Sequence, residues 1–290
     1  MFVSKELTLL LLAVYCLSHI LSKQLPIRII RLFSHWARWL TFACAFSLML
    51  TYFEWSNRAD WIHFISGLAA WFILETLYYK ISIHMLNISE MDLFPKYKND
   101  TNENLWPINK EVLKIKDLLS EEGFKEEETL KAEIIAHLVI RQAVFLDEAR
   151  KVRLNVLFIP NAKNEIKLFY SLFSHKTSGE YLLTDNQNMP FGGYYPDHWT
   201  VNRYPISHSL KKLLKKHREA MIESEGEWTE LEGDIRTKSN RLQWELEKKN
   251  REMGFLNEPN REDKQQISSE GCFRIWIEMW LLAYFGKTLS

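Results

Sequence analysis

The sequence contains little cysteine, glycine or proline, and it carries no net charge. Its 290 residues include 3 Cys, 10 Gly and 8 Pro, which excludes a disulfide scaffold, a collagen-like chain and a low-complexity chain. Its 37 basic and 37 acidic residues balance, whereas a dedicated nucleic-acid binder is usually basic overall. We therefore expect no nucleic-acid partner.

The common signatures of phosphate, metal and hydrolytic sites are also missing. The chain has no GxGxxG, GxxxxGKS/T, HExxH, GxSxG or CxxC pattern. Cys16, Cys44 and Cys272 are too far apart in the sequence to indicate a zinc site. We accordingly predict no catalytic residue, no metal and no cofactor, and we favour a protein without enzymatic activity.

Apolar residues are abundant, at 47% of the chain, and they crowd into the first 86 positions. A membrane-spanning helix needs about 20 apolar residues, and the stretches 39–55 and 61–79 come close to that length. The stretch 7–21 is shorter and could span poorly, lie in the interface or act as a signal sequence. Because no small-residue cleavage site follows it, we read it as an uncleaved anchor. Residues 1–86 are thus predicted to hold two or three transmembrane helices.

The basic residues near these stretches predict the orientation. Lys23, Arg28, Arg31 and Arg38 lie between the first and second stretches, whereas the short loop between the second and third carries only Arg58 as a basic residue. Cytoplasmic loops are enriched in Lys and Arg. We therefore predict an integral membrane protein whose C-terminal domain is cytoplasmic.

Small residues suggest how the second and third stretches pack. Ala43 and Ser47 are four residues apart in one stretch, and Ser66, Gly67 and Ala70 cluster in the other. Small residues at this spacing let helices approach closely in lipid. We expect a tight hairpin of these two helices.

Glu75 is the one acidic residue deep within a predicted span. An intramembrane carboxylate can mark an ion or proton pathway. Here it lies near the cytoplasmic end, where we expect it to meet water, Lys80 or His84. Because the spans offer no other acidic group at that depth, a transporter or pore-forming effector is disfavoured.

The remainder of the chain is predicted to be a linker, 87–107, and a soluble α+β domain, 108–290. The expected fold is a small antiparallel meander sheet packed by helices. In the second strand, Leu154, Val156 and Phe158 alternate with Arg153 and Asn155, which is typical of a half-buried strand. The predicted strands are 138–146, 152–159, 166–173 and 180–184, joined by turns that include 160–164, and the predicted helices are 109–122, 209–223, 227–253 and 269–285. The segment before the first strand has two alternative interpretations. Either the strand begins as early as residue 132, or residues 125–140 are partly helical.

The connection 185–207 is the best candidate for a ligand site. It is long and rich in glycine and aromatic residues, and glycine lets a backbone approach a ligand closely. The alternative is a structural crossover whose aromatic residues pack over the sheet. The candidate ligand-binding residues are Asp185, Gly192, Gly193, Tyr194, Asp197, His198 and Arg203.

Two helices are candidates for contact with a membrane surface or a protein partner. Residues 210–218 form a basic amphipathic pattern in which Leu210, Leu213 and Leu214 share a face. The last helix is apolar on nearly all sides, and we expect it to pack on the sheet or to dock on the bilayer or a partner. The candidate contact residues are Lys211, Lys212, Lys215, Lys216, Trp276 and Trp280.

Two segments of the soluble half resemble a set of bacterial membrane-anchored proteins for which no activity is known. The first is TDN at 184–186 together with PFGGYYP at 190–196, and the second is FRIWIEMWLL at 273–282. The resemblance implies membrane anchoring. It implies no activity and no site residue.

These observations favour a membrane-tethered interaction or scaffold protein, within a larger membrane assembly. The expected partners are the lipid bilayer and either another protein or a second copy of the chain. The alternative hypothesis is a membrane-anchored sensor or enzyme that binds a small ligand at the loop 185–207.

Overall fold

A computed structural model describes residues 4–25, 27–89, 91–100, 106, 110–135, 138–160, 166–258 and 265–289. The fold is mixed α+β and divides into two compact units. The first unit comprises Met1–Leu86 and Cys272–Leu289, and the second comprises Asn87–Gly271. Most of the predicted turn at 160–164 and much of the second half of the predicted linker lie outside the described residues.

The described chain begins and ends with helices, and its strands lie between them with one helix, α4, after the first strand. The helices are α1 (Lys5–Gln24), α2 (Arg28–Tyr52), α3 (Asp60–Ile88), α4 (Lys110–Glu121), α5 (Leu210–Glu223), α6 (Ile235–Glu252) and α7 (Ser269–Trp280), with a π-helical turn at Leu281–Phe285. The strands are β1 (Lys98–Asn99), β2 (Lys125–Ile135), β3 (Leu138–Leu146), β4 (Arg153–Pro160), β5 (Ile166–His175), β6 (Tyr181–Asp185) and β7 (Trp199–Arg203).

Two of the described helices, α1 and α3, are long and apolar enough to cross a membrane. Helix α1 has 20 residues and is therefore longer than the apolar stretch within it. Helix α2 is not among the two, and its first half carries Arg28, Arg31 and Arg38. The sequence-based choice of 39–55 as a span is thus weaker than that of 61–79.

Helices α2 and α3 pack closely through small residues, as their sequences predict. A Cβ atom on Gly67 would lie 2.9 Å from both the Cα and the carbonyl oxygen of Ala43. Ser47 Oγ donates a hydrogen bond of 3.2 Å to the carbonyl oxygen of Asp60. Only glycine at position 67 leaves room for this approach.

The C-terminal segment belongs to the first unit, which differs from the predicted domain 108–290. We expected the last helix to pack on the sheet, but Cys272–Leu289 groups with the N-terminal helices. Trp36 Nε1 donates to the carbonyl oxygen of Tyr284 at 2.9 Å, and the Trp280 and Tyr284 rings stack with centroids 4.9 Å apart. Aromatic residues of the first unit therefore cover this helix, which is apolar on nearly all sides.

The second unit is built on one seven-stranded sheet whose strands follow the chain order β1 to β7. Neighbouring strands are antiparallel from β1 to β6, and β7 pairs parallel to β6. The predicted antiparallel meander is present. The segment 125–140 contains a separate strand, β2, rather than a helix or an early start of the first predicted strand. Two further strands were missed: β1 within the predicted linker and β7 within the predicted loop.

Helices cover both faces of the sheet. The apolar residues of β4 lie on one face with residues of α4 and α5; Leu154 and Val156, for example, cluster with Leu119 and Leu213. Leu242 of α6 packs on the other face. The alternating polar residues Arg153 and Asn155 are consequently buried rather than exposed, so β4 is not the half-buried strand that its pattern predicts.

Helix α6 begins eight residues later than the predicted start at 227. Gly226 and Gly233 have φ values of 108° and 89°, in the left-handed region that interrupts a helix. Asp234 then caps the helix, because its side chain accepts a hydrogen bond from the Thr237 N–H.

Candidate functional site

A buried ion pair joins the first residue of the predicted ligand loop to Arg203, four residues before the end of the loop. Asp185 ends β6 and Arg203 ends β7, and the two are register partners in these parallel strands. Arg203 Nε lies 3.6 Å from Asp185 Oδ1, and their side chains are 2% and 4% exposed, respectively. The pair closes the loop at its base.

These two charged residues also hold the backbone of the loop. Arg203 Nη2 donates to the carbonyl oxygens of Gln187 at 3.3 Å and Met189 at 3.1 Å. The Gln187 N–H donates to Asp185 Oδ1 at 2.9 Å, and Gln187 Nε2 donates to Ser171 Oγ at 3.2 Å. Much of the polar capacity of Asp185 and Arg203 is therefore used within the protein.

The glycines of the loop allow it to dock on helix α6. Gly192 has a φ of 66°, and a Cβ atom on Gly193 would lie 2.5 Å from Asn250 Oδ1. The Tyr194 N–H donates to Asn250 Oδ1, and Asn250 Nδ2 donates to the Tyr194 carbonyl oxygen, both at 2.8 Å. The close approach that these glycines permit is to a side chain of this chain.

Asp197 and His198 lie over the outer side of α6. Lys249 Nζ donates to both carboxylate oxygens of Asp197 at 2.8 Å. Trp199 Nε1 donates to His198 Nε2 at 3.1 Å. Glu245 Oε2 lies 3.4 Å from the same nitrogen. The His198 side chain is 45% exposed.

The structure thus separates the seven candidate ligand residues into three groups. Asp185 and Arg203 lie at the base of the loop, Gly192 to Tyr194 contact Asn250, and Asp197 and His198 lie beside the second half of α6. Three aromatic rings of the loop pack on one another, and they belong to Phe191, Tyr195 and Trp199. The Phe191 ring also packs on the Phe255 ring, which lies outside the loop. These contacts fit the interpretation of 185–207 as a structural crossover.

Helix α5 also carries a buried histidine that its sequence pattern does not single out. His217 is fully buried; its Nδ1 lies 2.8 Å from Thr184 Oγ1 and its Nε2 lies 3.0 Å from Ser174 Oγ. Ser174 Oγ donates to the Lys151 carbonyl oxygen at 2.8 Å, so it accepts a hydrogen bond from the Nε2–H of His217. This is the reverse of a serine nucleophile activated by histidine. Burial, with a smaller effect of Arg218, lowers the pKa of His217 to about 3.

A cavity of about 310 Å³ opens on the α5 side of the sheet, near the edge strand β7. Lys176 Nζ donates to Glu180 Oε2 at 2.7 Å and lies 5.5 Å from the centroid of the Trp228 ring. Thr200 and Asn202 of β7 also line it. The volume is at the lower end of the range for small-molecule sites, and the cationic group within it already has an anionic partner.

Helix α5 exposes its predicted basic face. Leu210, Leu213 and Leu214 are buried against the sheet, as their spacing predicts. The four lysines point to solvent; they are Lys211, Lys212, Lys215 and Lys216. Glu219 lies 3.8 Å from Lys215 Nζ and 3.0 Å from Lys216 Nζ, so it offsets part of this charge.

In the first unit, Glu75 accepts hydrogen bonds from four side chains. Arg38 Nη2 donates to Oε1 at 2.8 Å and the Tyr79 hydroxyl donates to the same oxygen at 2.9 Å. Trp71 Nε1 donates to Oε2 at 2.7 Å, and the Tyr284 hydroxyl donates there too. The expectation that Glu75 meets Lys80 or His84 is wrong, because its carboxylate faces α2 and the C-terminal segment. We call these five residues the Glu75 cluster.

Trp276 and Trp280, the candidate contact residues of the last helix, pack within the first unit. The Trp280 ring lies 5.1 Å from the Phe72 ring and 5.7 Å from the Trp39 ring, between centroids. Trp276 contacts Phe72 at 6.5 Å. Both tryptophans remain half-buried.

Within the described part of the chain, no group of three or more His, Cys, Asp or Glu side chains is arranged to hold a metal ion. No protein-family model, curated protein or solved structure matches the chain.

Proposed function

We propose that the chain is an integral membrane protein that acts as a tethered interaction protein, without enzymatic activity, in a larger membrane assembly. The observation that carries the membrane part is the uncovered apolar surface of α1 and α3. Only 6% of the apolar 18-residue segment of α1, and 17% of the corresponding segment of α3, is buried within the protein. Soluble monomers rarely leave so much contiguous apolar surface in water, and lipid would cover it.

The polar contacts of α2 support the same proposal. Arg38 would be costly in hydrocarbon by itself, but its guanidinium pairs with Glu75 at 2.8 Å. The basic residues Lys23, Arg28 and Arg31 precede or begin α2, which favours the cytoplasm for that end. The second unit follows α3 and would lie on the same side.

Cysteine labelling in intact cells tests this orientation. In a background with the three native cysteines replaced by alanine, we expect Ser178→Cys, in the exposed β5–β6 turn, to react with a membrane-impermeant maleimide only after permeabilisation. Asn57→Cys, between α2 and α3, should react without permeabilisation, and the parent background should not react. The opposite labelling pattern would overturn the orientation, and release of the protein by carbonate would overturn the membrane assignment.

The interaction part of the proposal is supported by the exposed lysines of α5. They form a basic surface on a helix whose buried side is already packed on the sheet. Such a surface attracts anionic lipid headgroups or acidic proteins, and each lysine near an anionic leaflet contributes about 1 kcal/mol. The folded domain does not need these four side chains for its core.

Extraction in mild detergent, followed by sizing and mass spectrometry, tests for an assembly. We expect a stoichiometric partner or self-association, and we expect it to weaken when Lys211, Lys212, Lys215 and Lys216 are all replaced by glutamine. A matched control replaces Lys248 and Arg241, exposed on α6. A monomer that co-purifies with no partner would contradict the scaffold function.

The alternative function, a sensor or enzyme with its ligand at 185–207, has its own test. Asp197→Ala/His198→Ala removes the accessible polar groups of the loop. The double variant should keep partner binding if the protein is a scaffold. It should lose ligand-induced stabilisation if the loop is a ligand site.

A further inference from the structure

Arg153 is a buried arginine on the α6 side of the sheet. It begins β4 and is the register partner of Phe173 in β5. Its guanidinium lies 4.8 Å from the centroid of the Phe173 ring, and the residue is 5% exposed. Its Nε is buried and has no hydrogen-bond partner among the described residues.

The charge of Arg153 is not balanced within the described part of the chain. No carboxylate there lies within 4.0 Å of its guanidinium, and the groups that raise its pKa are the phenols of Tyr181 and Tyr97. Burial raises the pKa of Tyr97 to about 12 and also raises that of Tyr181, so both are neutral at pH 7. Burial lowers the pKa of Arg153 to about 10, which leaves it charged. An unpaired buried cation costs several kcal/mol.

A second cation lies near the first. Burial lowers the pKa of Lys238, in the first turns of α6, and the positive charge of Arg153 is the next largest cause. Glu232 acts in the opposite direction, but its side chain is in an exposed position before the helix. The neighbouring His175 has its pKa lowered by burial and then by Lys238. Arg241 also lowers the pKa of His175, whereas Glu245 raises it, so basic groups outnumber the acidic group that acts there.

Ser239 supplies an independent sign of an incomplete site. It follows Lys238 on α6 and is 4% exposed. Its hydroxyl oxygen is buried without a hydrogen-bond partner among the described residues. Buried hydroxyl groups in folded proteins nearly always have a partner, and a bound ligand is one way to supply it.

We propose that Arg153, Lys238 and Ser239 form a binding site for a small solute that carries a phosphate or carboxylate group. A guanidinium binds such oxyanions through two parallel N–H donors, and an ammonium and a hydroxyl add further donors. The ligand would neutralise the buried charge and satisfy the Ser239 hydroxyl. The near-complete burial of Arg153 favours a small free solute over a lipid headgroup. This site does not depend on membrane anchoring.

Thermal unfolding of the full chain in phosphatidylcholine nanodiscs tests the proposal, with inorganic phosphate and succinate as probes and chloride at equal ionic strength as the reference. We expect at least one probe to raise the midpoint in a saturable manner. Arg153→Met should weaken the binding of that probe by about 100-fold, and Ser239→Ala should weaken it by about 5-fold. Lys212→Met, on the exposed side of α5, is the control and should leave the response unchanged.

The stability of the variant without a probe gives a second readout. Replacing an uncompensated buried charge by a residue of similar volume is neutral or stabilising, so Arg153→Met should unfold no earlier than the parent in chloride. If Arg153→Met fails to fold, Arg153→Lys and Ser239→Ala test the proposal in its place, because both should retain the fold and bind the probe more weakly.

Three results would overturn the proposal. The first is the absence of a saturable shift with either probe in the parent chain. The second is a shift that persists undiminished in Arg153→Met, or in both Arg153→Lys and Ser239→Ala if Arg153→Met does not fold. The third is an Arg153-dependent shift caused by phosphatidylglycerol in the nanodisc but by neither probe, which would assign the site to a lipid headgroup.

Discussion

Asn240 and Asn250 bind the backbones of two distant segments in the same way from one helix. Asn240 Oδ1 accepts from the Tyr97 N–H at 2.7 Å, and its Nδ2 donates to the Tyr97 carbonyl oxygen at 3.0 Å. Asn250 makes the equivalent two bonds to Tyr194, both at 2.8 Å. Each side-chain amide thus bonds the N–H and the carbonyl oxygen of one residue, as a neighbouring strand would. Helix α6 thereby fixes the segment before β1 and the loop before β7.

Asn250→Asp should destabilise the second unit. A carboxylate cannot donate, so the carbonyl oxygens of Tyr194 and Leu246 would lose a donor in a buried place. We expect the free energy of unfolding to fall by about 1–3 kcal/mol, measured by urea unfolding in detergent. Lys248→Gln, on the exposed side of the same helix, is the control. Equal midpoints for Asn250→Asp and the parent would show that this amide does not hold the loop.

Gly67→Leu should disrupt the packing of α2 on α3. Its side chain would start 2.9 Å from the backbone of Ala43, and overpacking typically costs about 1–3 kcal/mol. The thermal midpoint of the detergent-solubilised protein should fall. Ala69→Leu adds the same side chain at a position of α3 that is less enclosed and should leave the midpoint unchanged. Similar behaviour of the two variants would contradict the close helix contact.

Tyr284→Phe should loosen the C-terminal segment from the helices of the first unit. The change removes one donor of the Glu75 cluster and keeps the ring that stacks on Trp280. Amide hydrogen exchange over residues 281–286 should accelerate by roughly 10-fold, the equivalent of a charge-assisted hydrogen bond. Tyr78→Phe, at an exposed position on α3, serves as the control. Unchanged exchange in Tyr284→Phe would show that stacking alone holds the segment.

His217 should make the second unit less stable in acid. Its pKa is about 3 in the folded protein, whereas that of a solvent-exposed histidine is 6.5, so the unfolded chain binds the proton more readily. The stabilisation by neutral His217 is complete above pH 6.5 and decreases as the pH falls toward 3, by about 1.4 kcal/mol per pH unit. His217→Gln should therefore lose about 2 kcal/mol less than the parent between pH 6.5 and 5. His198→Gln, at an exposed ring, should follow the parent; parallel curves for all three proteins would refute the assignment.

The sequence predicts elements well where a local pattern is sufficient. Strand β3 runs from Leu138 to Leu146, as the apolar run indicates. Helix α5 begins after Ser209, whose side chain accepts from the Lys212 N–H, and its leucines face the sheet. These features depend on periodicity and capping, which neighbouring residues determine.

Features that depend on distant residues were not predictable in the same way. The distant partners of Glu75 are Arg38 in α2 and Tyr284, 209 positions later. Arg153 alternates with apolar residues and therefore reads as solvent-facing, but helix α6 covers it. Strand β7 has only five residues and pairs in parallel with β6. Neither its length nor a preceding hairpin turn therefore indicates a strand in the sequence. In the candidate loop, residue type suggested a ligand, whereas Asp185 and Arg203 bind each other.

The position of Tyr284 in the Glu75 cluster has a consequence for biosynthesis. Translation supplies Arg38, Trp71, Glu75 and Tyr79 early, but the fourth donor only after the whole second unit has left the ribosome. Until then, the carboxylate of Glu75 lacks one of its hydrogen bonds and the rings of Trp36 and Trp39 lack their aromatic cover from the C-terminal segment. A chain cut short before residue 284 would expose this gap permanently. Residues 281–285 therefore complete the Glu75 cluster after its other members are in place.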